Sequence, residues 1–130
     1  CSQLLESKLI DFLDVSLWDA FKSPHEEEFG DQSLLDYFTA LPRHGAYLTV
    51  AGKIMSGADV HAILNADVDF VTIGRAGILH HDYPLQVIAT PDFTPVELPV
   101  SRGYLANEGL GEAFIDYMTR WEGFVQTNEP

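Results

Sequence analysis

VDFVTIGRAGILHHDYP, residues Val68 to Pro84, begins as an apolar run from Phe70 to Ile73, breaks at Gly74 and places Arg75 at the exit. A short apolar run closed by glycine has the pattern of a buried strand. The cation behind the glycine is notable because the chain has only 7 Lys and Arg against 20 Asp and Glu. The strand is expected over Val68–Gly74, and Pro84 is expected to open a helix that runs to Ala89, since proline suits the first helical turn.

Reading outward from this stretch, the same pattern recurs upstream. GAYLTVAGK holds a strand from Ala46 to Val50, closed by Gly52 and followed by Lys53. Ser56 is placed to cap the next helix, with Asp59 at its third position and Val60, Ile63 and Leu64 as its buried stripe. Further back, LIDFLDVS is an expected strand ending at Ser16. Asp31 or Ser33 is placed to cap a helix over DQSLLDYFTAL that Pro42 stops. SQLLESKLI is expected to close an earlier helix. The order β-α-β-α-β, with continuous apolar strands, defines an α/β chain of parallel strands covered by helices. It fits a doubly wound sheet or a (β/α) barrel, and in both the functional residues stand at the carboxyl ends of the strands.

Two of those ends share one chemistry. Gly52–Lys53 and Gly74–Arg75 each pair a glycine, which permits close approach of a ligand, with a cation. Neighbouring strand ends lie about 5 Å apart, so the two pairs are placed to grip one phosphate, with Arg75 forking onto two oxygens. Either pair alone is ordinary turn chemistry with a solvated cation. Two on consecutive strands of a chain with net charge −13 point to an anion site.

The ordered set VAGKIMSGADVHAILNADVDFVTIGRAGILHHDYP resembles the C-terminal part of the old yellow enzyme family, the FMN-dependent NADH:flavin oxidoreductases and ene-reductases. The similarity spans roughly Leu9 to Ala89 and is most specific at GRA and DYP. It implies the C-terminal portion, about strands six to eight, of a (β/α)8 TIM barrel, with a C-terminal helical extension. It also implies an FMN-dependent oxidoreductase that takes hydride from NAD(P)H as co-substrate and passes it through FMN to an activated alkene or another small-molecule substrate. Carried over, Gly52, Lys53 and Gly74 would supply backbone N–H groups to the FMN phosphate and Arg75 a charged fork. Lys53 departs from the residue types usual there. The family's catalytic residues stand on earlier strands, so none is assigned here, and these 130 residues alone are expected to be inactive.

By length this is one domain. Residues 1–89 form the partial barrel, and 90–130 an extended arm with an amphipathic helix. Pro91, Pro95 and Pro99 exclude regular helix from Thr90 to Gly103. Asn107 is placed to cap a helix bearing Leu110, Phe114, Tyr117, Met118 and Trp121, whose aromatic stripe is expected in a core or at a subunit interface, including that of a homo-oligomer. The acidic balance argues against nucleic acid or an anionic membrane as partner. No apolar run reaches the roughly 20 residues of a membrane span. A start without a basic n-region, and Cys1 as the lone cysteine, suggest a cytoplasmic protein, and the initial Cys suggests a piece of a longer one.

Within HHDYP, His80, His81 and Asp82 raise the thought of a metal, but adjacent histidines diverge and no further ligand is evident in sequence, so none is expected. Tyr83 is expected to pack, or else to lie near the flavin edge. The acidic loop His25–Asp31 is expected to be solvated, and Ser16 has no partner base that would make it a nucleophile. Two other functions remain open. One is a barrel enzyme of another class that takes a phosphorylated metabolite, such as an aldolase or isomerase. The other is a non-catalytic half-barrel that serves as an interaction domain.

Overall fold

The computed structural model describes residues 1–25, 30 and 32–126. Among these, helix α1 (Ser2–Ser7) ends at Lys8 in the left-handed conformation. It is followed by β1 (Phe12–Ser16), α2 (Leu34–Thr39), β2 (Tyr47–Ala51), α3 (Gly57–Asn65) and β3 (Phe70–Val71). Four short helices follow: α4 (Arg75–Leu79), α5 (Tyr83–Ala89), α6 (Arg102–Asn107) and α7 (Glu112–Met118). The strands form one parallel sheet in the order β1-β2-β3, with Phe12 opposite Tyr47, Asp14 opposite Thr49 and Thr49 opposite Phe70.

The helix starts follow local chemistry. Ser33 and Ser56 each accept from the N–H three residues on, and Asp36 and Asp59 answer from the helix onto the cap's own N–H. These reciprocal boxes satisfy donors that a helix start otherwise leaves unpaired. The alternative cap Asp31, and most of the acidic loop His25–Asp31, lie outside the described residues.

Strand alternation divides the sheet into two unlike faces. Val15, Leu48 and Val50 point to the side where Leu35 of α2, Val60 and Ile63 of α3, and Tyr83 and Val87 of α5 complete a buried core. The opposite face carries Phe12, Tyr47 and Phe70, which are 53%, 60% and 43% exposed. Phe12 and Phe70 meet edge to face across β2 at 5.9 Å. Thr49, on the strand between them, is buried and shares a hydrogen bond of 2.9 Å with Thr72. The Thr72 hydroxyl also donates to Asp14 at 3.4 Å. Consecutive parallel strands in the order β1-β2-β3, when each crossover has the same hand, put their connecting helices on one side.

A second core joins Leu79 to Val100, Leu105, Ile115, Met118, Phe124 and Val125. The chain end returns along Val100, whose N–H donates to Phe124 O and whose carbonyl accepts from Gln126 N–H. Residues 90–100 contain no helix, and they dock on the part of the chain that holds the sheet. Gly57 N–H donates to Phe93 O, and a Cβ on Gly57 would stand 2.2 Å from Pro91 O.

Several expectations are revised. The third strand is shorter than Val68–Gly74, because its pairing with β2 ends when Thr72 N–H reaches Val50 O and the chain turns at Gly74 into α4. The extended stretch stops before Gly103, since Ser101 caps α6 with its hydroxyl on Tyr104 N–H. Asn107 closes α6 rather than capping the last helix; Gly111 holds that N-cap, in extended backbone. Leu64 is 38% exposed, so Val60 and Ile63 alone form the buried stripe of α3. In α7 it is Ile115 and Met118 that turn inward, leaving Phe114, Tyr117 and Trp121 exposed by 40% or more.

Candidate functional site at the carboxyl ends of the strands

A cleft of about 300 Å³ opens where the three strands end. Ser16, Ala51 and Thr72 form its floor, continuing the helix-free face of the sheet. Gly52, Lys53, Gly74 and Arg75 line it together. The four residues singled out in the sequence therefore share one site.

Their local roles differ. Gly52 has φ +148°, and a Cβ there would come within 2.9 Å of Ala20 N and 3.0 Å of Asp19 N. Its carbonyl accepts from Ala20 N–H. Glycine is thus required at this position by the loop behind β1, independently of any ligand. Nothing lies within 4 Å of where a Cβ on Gly74 would stand, so this turn is open toward the cleft.

Lys53 takes a left-handed backbone, φ +51°, and its Nζ lies 2.9 Å from Asp19 Oδ2. The Lys53 ammonium, reinforced by Phe21 N–H, holds the Asp19 carboxyl below its ordinary range. The side chain of Arg75, the first residue of α4, makes no hydrogen bond or ion pair with any described residue. Its guanidinium fork is therefore available, whereas the Lys53 ammonium is shared with a carboxylate. Such an arrangement can neutralise and orient a small dianion.

Trp18 and Asp19, which follow β1, are expected near the mouth of the site, but neither the partner of Asp19 nor the place of Trp121 follows from the sequence. Asp19 pairs with Lys53, 34 positions further along the chain, which no local spacing reveals. Trp121 lines the cleft from the turn after α7, and Trp18 lines it from the turn after β1. Ser16 has no described base beside it that would activate its hydroxyl.

A second cluster lies on the other side of α4. His81 N–H and Nδ1 both meet Glu108 Oε2, at 2.9 and 2.8 Å. With Asp82 these residues bring three possible ligand atoms within 4.8 Å of one another. Glu108 is the ligand type that the HHDYP motif lacked in sequence. The neighbouring His80 faces inward: its Nε2 accepts from Val96 N–H at 3.0 Å, and its Nδ1 lies 3.3 Å from Tyr104 OH. Tyr83 is buried, with its hydroxyl donating to Ser56 O at 3.2 Å, and burial raises its pKa above the usual phenol value.

No protein-family model, curated protein or solved structure matches this chain. Among the described residues no helix is long and apolar enough to cross a membrane.

Proposed function

We propose that this chain anchors the phosphate of FMN at the ends of β2 and β3, as part of a (β/α) barrel that transfers hydride from NAD(P)H to a small-molecule acceptor. The carrying observation is the convergence of Lys53 and Arg75 on one cleft at the carboxyl ends of consecutive parallel strands, with Gly74 open beside them. In barrels of this architecture a phosphate commonly sits after the last two strands.

The one-sided sheet supports the barrel part of the proposal. Helices cover the face of Val15 and Val50, while on the face of Asp14, Thr49 and Thr72 the described residues Phe12, Tyr47 and Phe70 stay exposed. A doubly wound sheet is covered on both faces, whereas the inner face of a barrel is covered by its own remaining strands. Threonines and an aspartate joined by hydrogen bonds suit such an interior, since each buried polar atom has a partner.

The residues present fit the phosphate group. Arg75 would hold it by two parallel N–H···O bonds, the Gly74 turn would let it approach the backbone, and Lys53 would add charge at the cost of part of its bond to Asp19. Bound FMN would supply the redox chemistry; this segment supplies position and charge. Tyr83, packed under Ser56, serves the core rather than the flavin edge.

The test is the flavin content of the protein after purification from its complete reading frame, with the released cofactor identified by mass. Flavin absorption and the mass of FMN in the wild type, both lost in Arg75→Ala, are expected. A colourless wild type that stays colourless with added FMN overturns the flavin assignment and leaves a phosphate-binding barrel of another class.

A further inference from the structure

The loop between α4 and α5 and the end of α6 bring three ligand-type side chains to one place. One ligand atom each of His81, Asp82 and Glu108 lies within 4.8 Å of the other two. Glu108 stands 27 positions beyond His81, so only the fold joins them.

Their positions are held from both sides. Leu79 and Tyr83, which flank the loop, are buried, and His80 points inward to accept from Val96 N–H. Tyr104, one turn before Glu108, donates its hydroxyl to Leu79 O at 2.9 Å, and His81 N–H donates to Glu108 Oε2 at 2.9 Å. These two bonds tie the end of α6 to the loop. Asp82 stands at the N-cap of α5 yet makes no capping bond; its Oδ2 accepts from Gln86 Nε2 at 2.9 Å. An outer hydrogen bond of that kind orients a coordinating carboxylate. The Glu108 side chain is 18% exposed and that of His81 67%, so the glutamate forms the floor and the imidazole stands on the open side.

Charge points the same way. Two carboxylates meet here in a chain of net charge −13. Among the described residues neither pairs with a lysine or arginine, whose ion pairs are made elsewhere. An ion pair of His81 with Glu108 accounts for two members of the cluster and leaves Asp82 unexplained. A divalent cation would answer both carboxylates at once. One imidazole nitrogen with two carboxylate oxygens is a donor set that suits zinc, and three protein ligands leave its fourth position to water. His81 Nδ1 and Glu108 Oε2 are 2.8 Å apart. An ion between them needs about 3.3 Å, a small swing of the exposed imidazole.

We propose that His81, Asp82 and Glu108 bind a Zn2+ ion whose remaining position is open to water. HHDYP alone gave no reason to expect a metal, because Glu108 lies outside it. None of the three residues lines the cleft at the strand ends, so the zinc site does not rest on the FMN reading.

The experiment is calorimetric titration of the protein with Zn2+, and with Mg2+ as the control cation, in a buffer that chelates neither. The wild type is expected to bind one Zn2+ per chain, about tenfold or more tighter than Mg2+. His81→Ala, Asp82→Asn and Glu108→Gln should each weaken Zn2+ about tenfold or more. His25→Ala and Cys1→Ser, which remove other exposed ligand types, should leave it unchanged. Asp82→Asn keeps the shape of its side chain, so it separates ligation from folding, and thermal melts without metal establish that each variant folds. Absence of Zn2+ binding in the wild type, or equal affinity for Zn2+ and Mg2+, overturns the site. So does binding that persists undiminished in Asp82→Asn, or that is lost in His25→Ala or Cys1→Ser.

Discussion

Lys53 Nζ and Asp19 Oδ2 are 2.9 Å apart at the rim of the cleft, so one of its two cations already has a protein counter-ion. An incoming phosphate competes with Asp19 for that ammonium. Asp19→Asn removes the competing charge, and the affinity for inorganic phosphate is expected to rise up to about fivefold, the scale of an exposed ion pair. Lys53→Ala should lower it by a similar factor, and less than Arg75→Ala does. Titration calorimetry measures all three. A loss of affinity in Asp19→Asn would mean instead that Asp19 holds Lys53 in place for the ligand.

The His81–Glu108 pair predicts how stability depends on pH. The Glu108 carboxylate raises the His81 pKa above 6.5, and the His81 N–H and imidazole hold Glu108 below 4.5. The histidine's contribution is fully present below pH 6.5 and is lost as pH rises through its raised folded value. The glutamate's contribution is present above pH 4.5 and is lost as pH falls through its lowered folded value. Both are present between those two unfolded-state values. Subtracting the melting profile of His81→Ala from that of the wild type should give a difference that is largest from about pH 4.5 to 6.5. A difference that does not vary with pH contradicts the pairing.

Arg43 ties the amino ends of β2 and β3 together. It donates to Asp69 Oδ2 at 2.5 Å and to the backbone oxygen of Asp67, while Asp69 Oδ2 also accepts from Leu48 N–H. Removing the guanidinium leaves a half-buried carboxylate short of a partner. Arg43→Ala is expected to cost about 1–3 kcal/mol in chemical denaturation. A cost within error of zero would show that the clamp is a solvated surface pair.

Gly57 touches the segment after α5 directly, with its N–H donating to Phe93 O at 2.8 Å. The Cβ of Gly57→Ala would stand 2.2 Å from Pro91 O and 2.9 Å from Pro91 C, both backbone atoms. The segment must then move, and the Gly57 N–H bond to Phe93 O goes with it. A loss of about 2 kcal/mol is expected, the scale of an overpacked core. Unchanged stability would mean that residues 90–95 lie loosely on the surface.

What could be read from the sequence was local. The Ser56–Asp59 box spans three residues and makes its bonds within them, so its residue types announce it. The glycine–cation pairs were legible because each closes an apolar run. Parallel pairing itself makes neighbours of residues 20 or more positions apart, such as Thr49 and Thr72. The partners that complete the site were hidden for the same reason. Nothing near Lys53 names Asp19, nothing near His81 names Glu108, and nothing in the stretch before Trp121 names the strand ends. Periodicity also left α7 undecided. Phe114, Tyr117 and Trp121 repeat at helical spacing, but so do Ile115 and Met118, and spacing alone does not say which stripe meets Leu105 and Leu79. On α6, proline excluded a helix only as far as Pro99; Ser101 started one two residues later.

The most direct test of the phosphate site uses the protein's own tryptophans as reporters, because Trp18 and Trp121 both border the cleft. Their emission is followed as inorganic phosphate is added, at constant ionic strength with chloride as the control anion, in the wild type and in Arg75→Ala. A saturable change in the wild type that disappears in Arg75→Ala is the predicted result. No change in the wild type, or the same saturable change in both proteins, would contradict a phosphate site at Gly52, Lys53, Gly74 and Arg75.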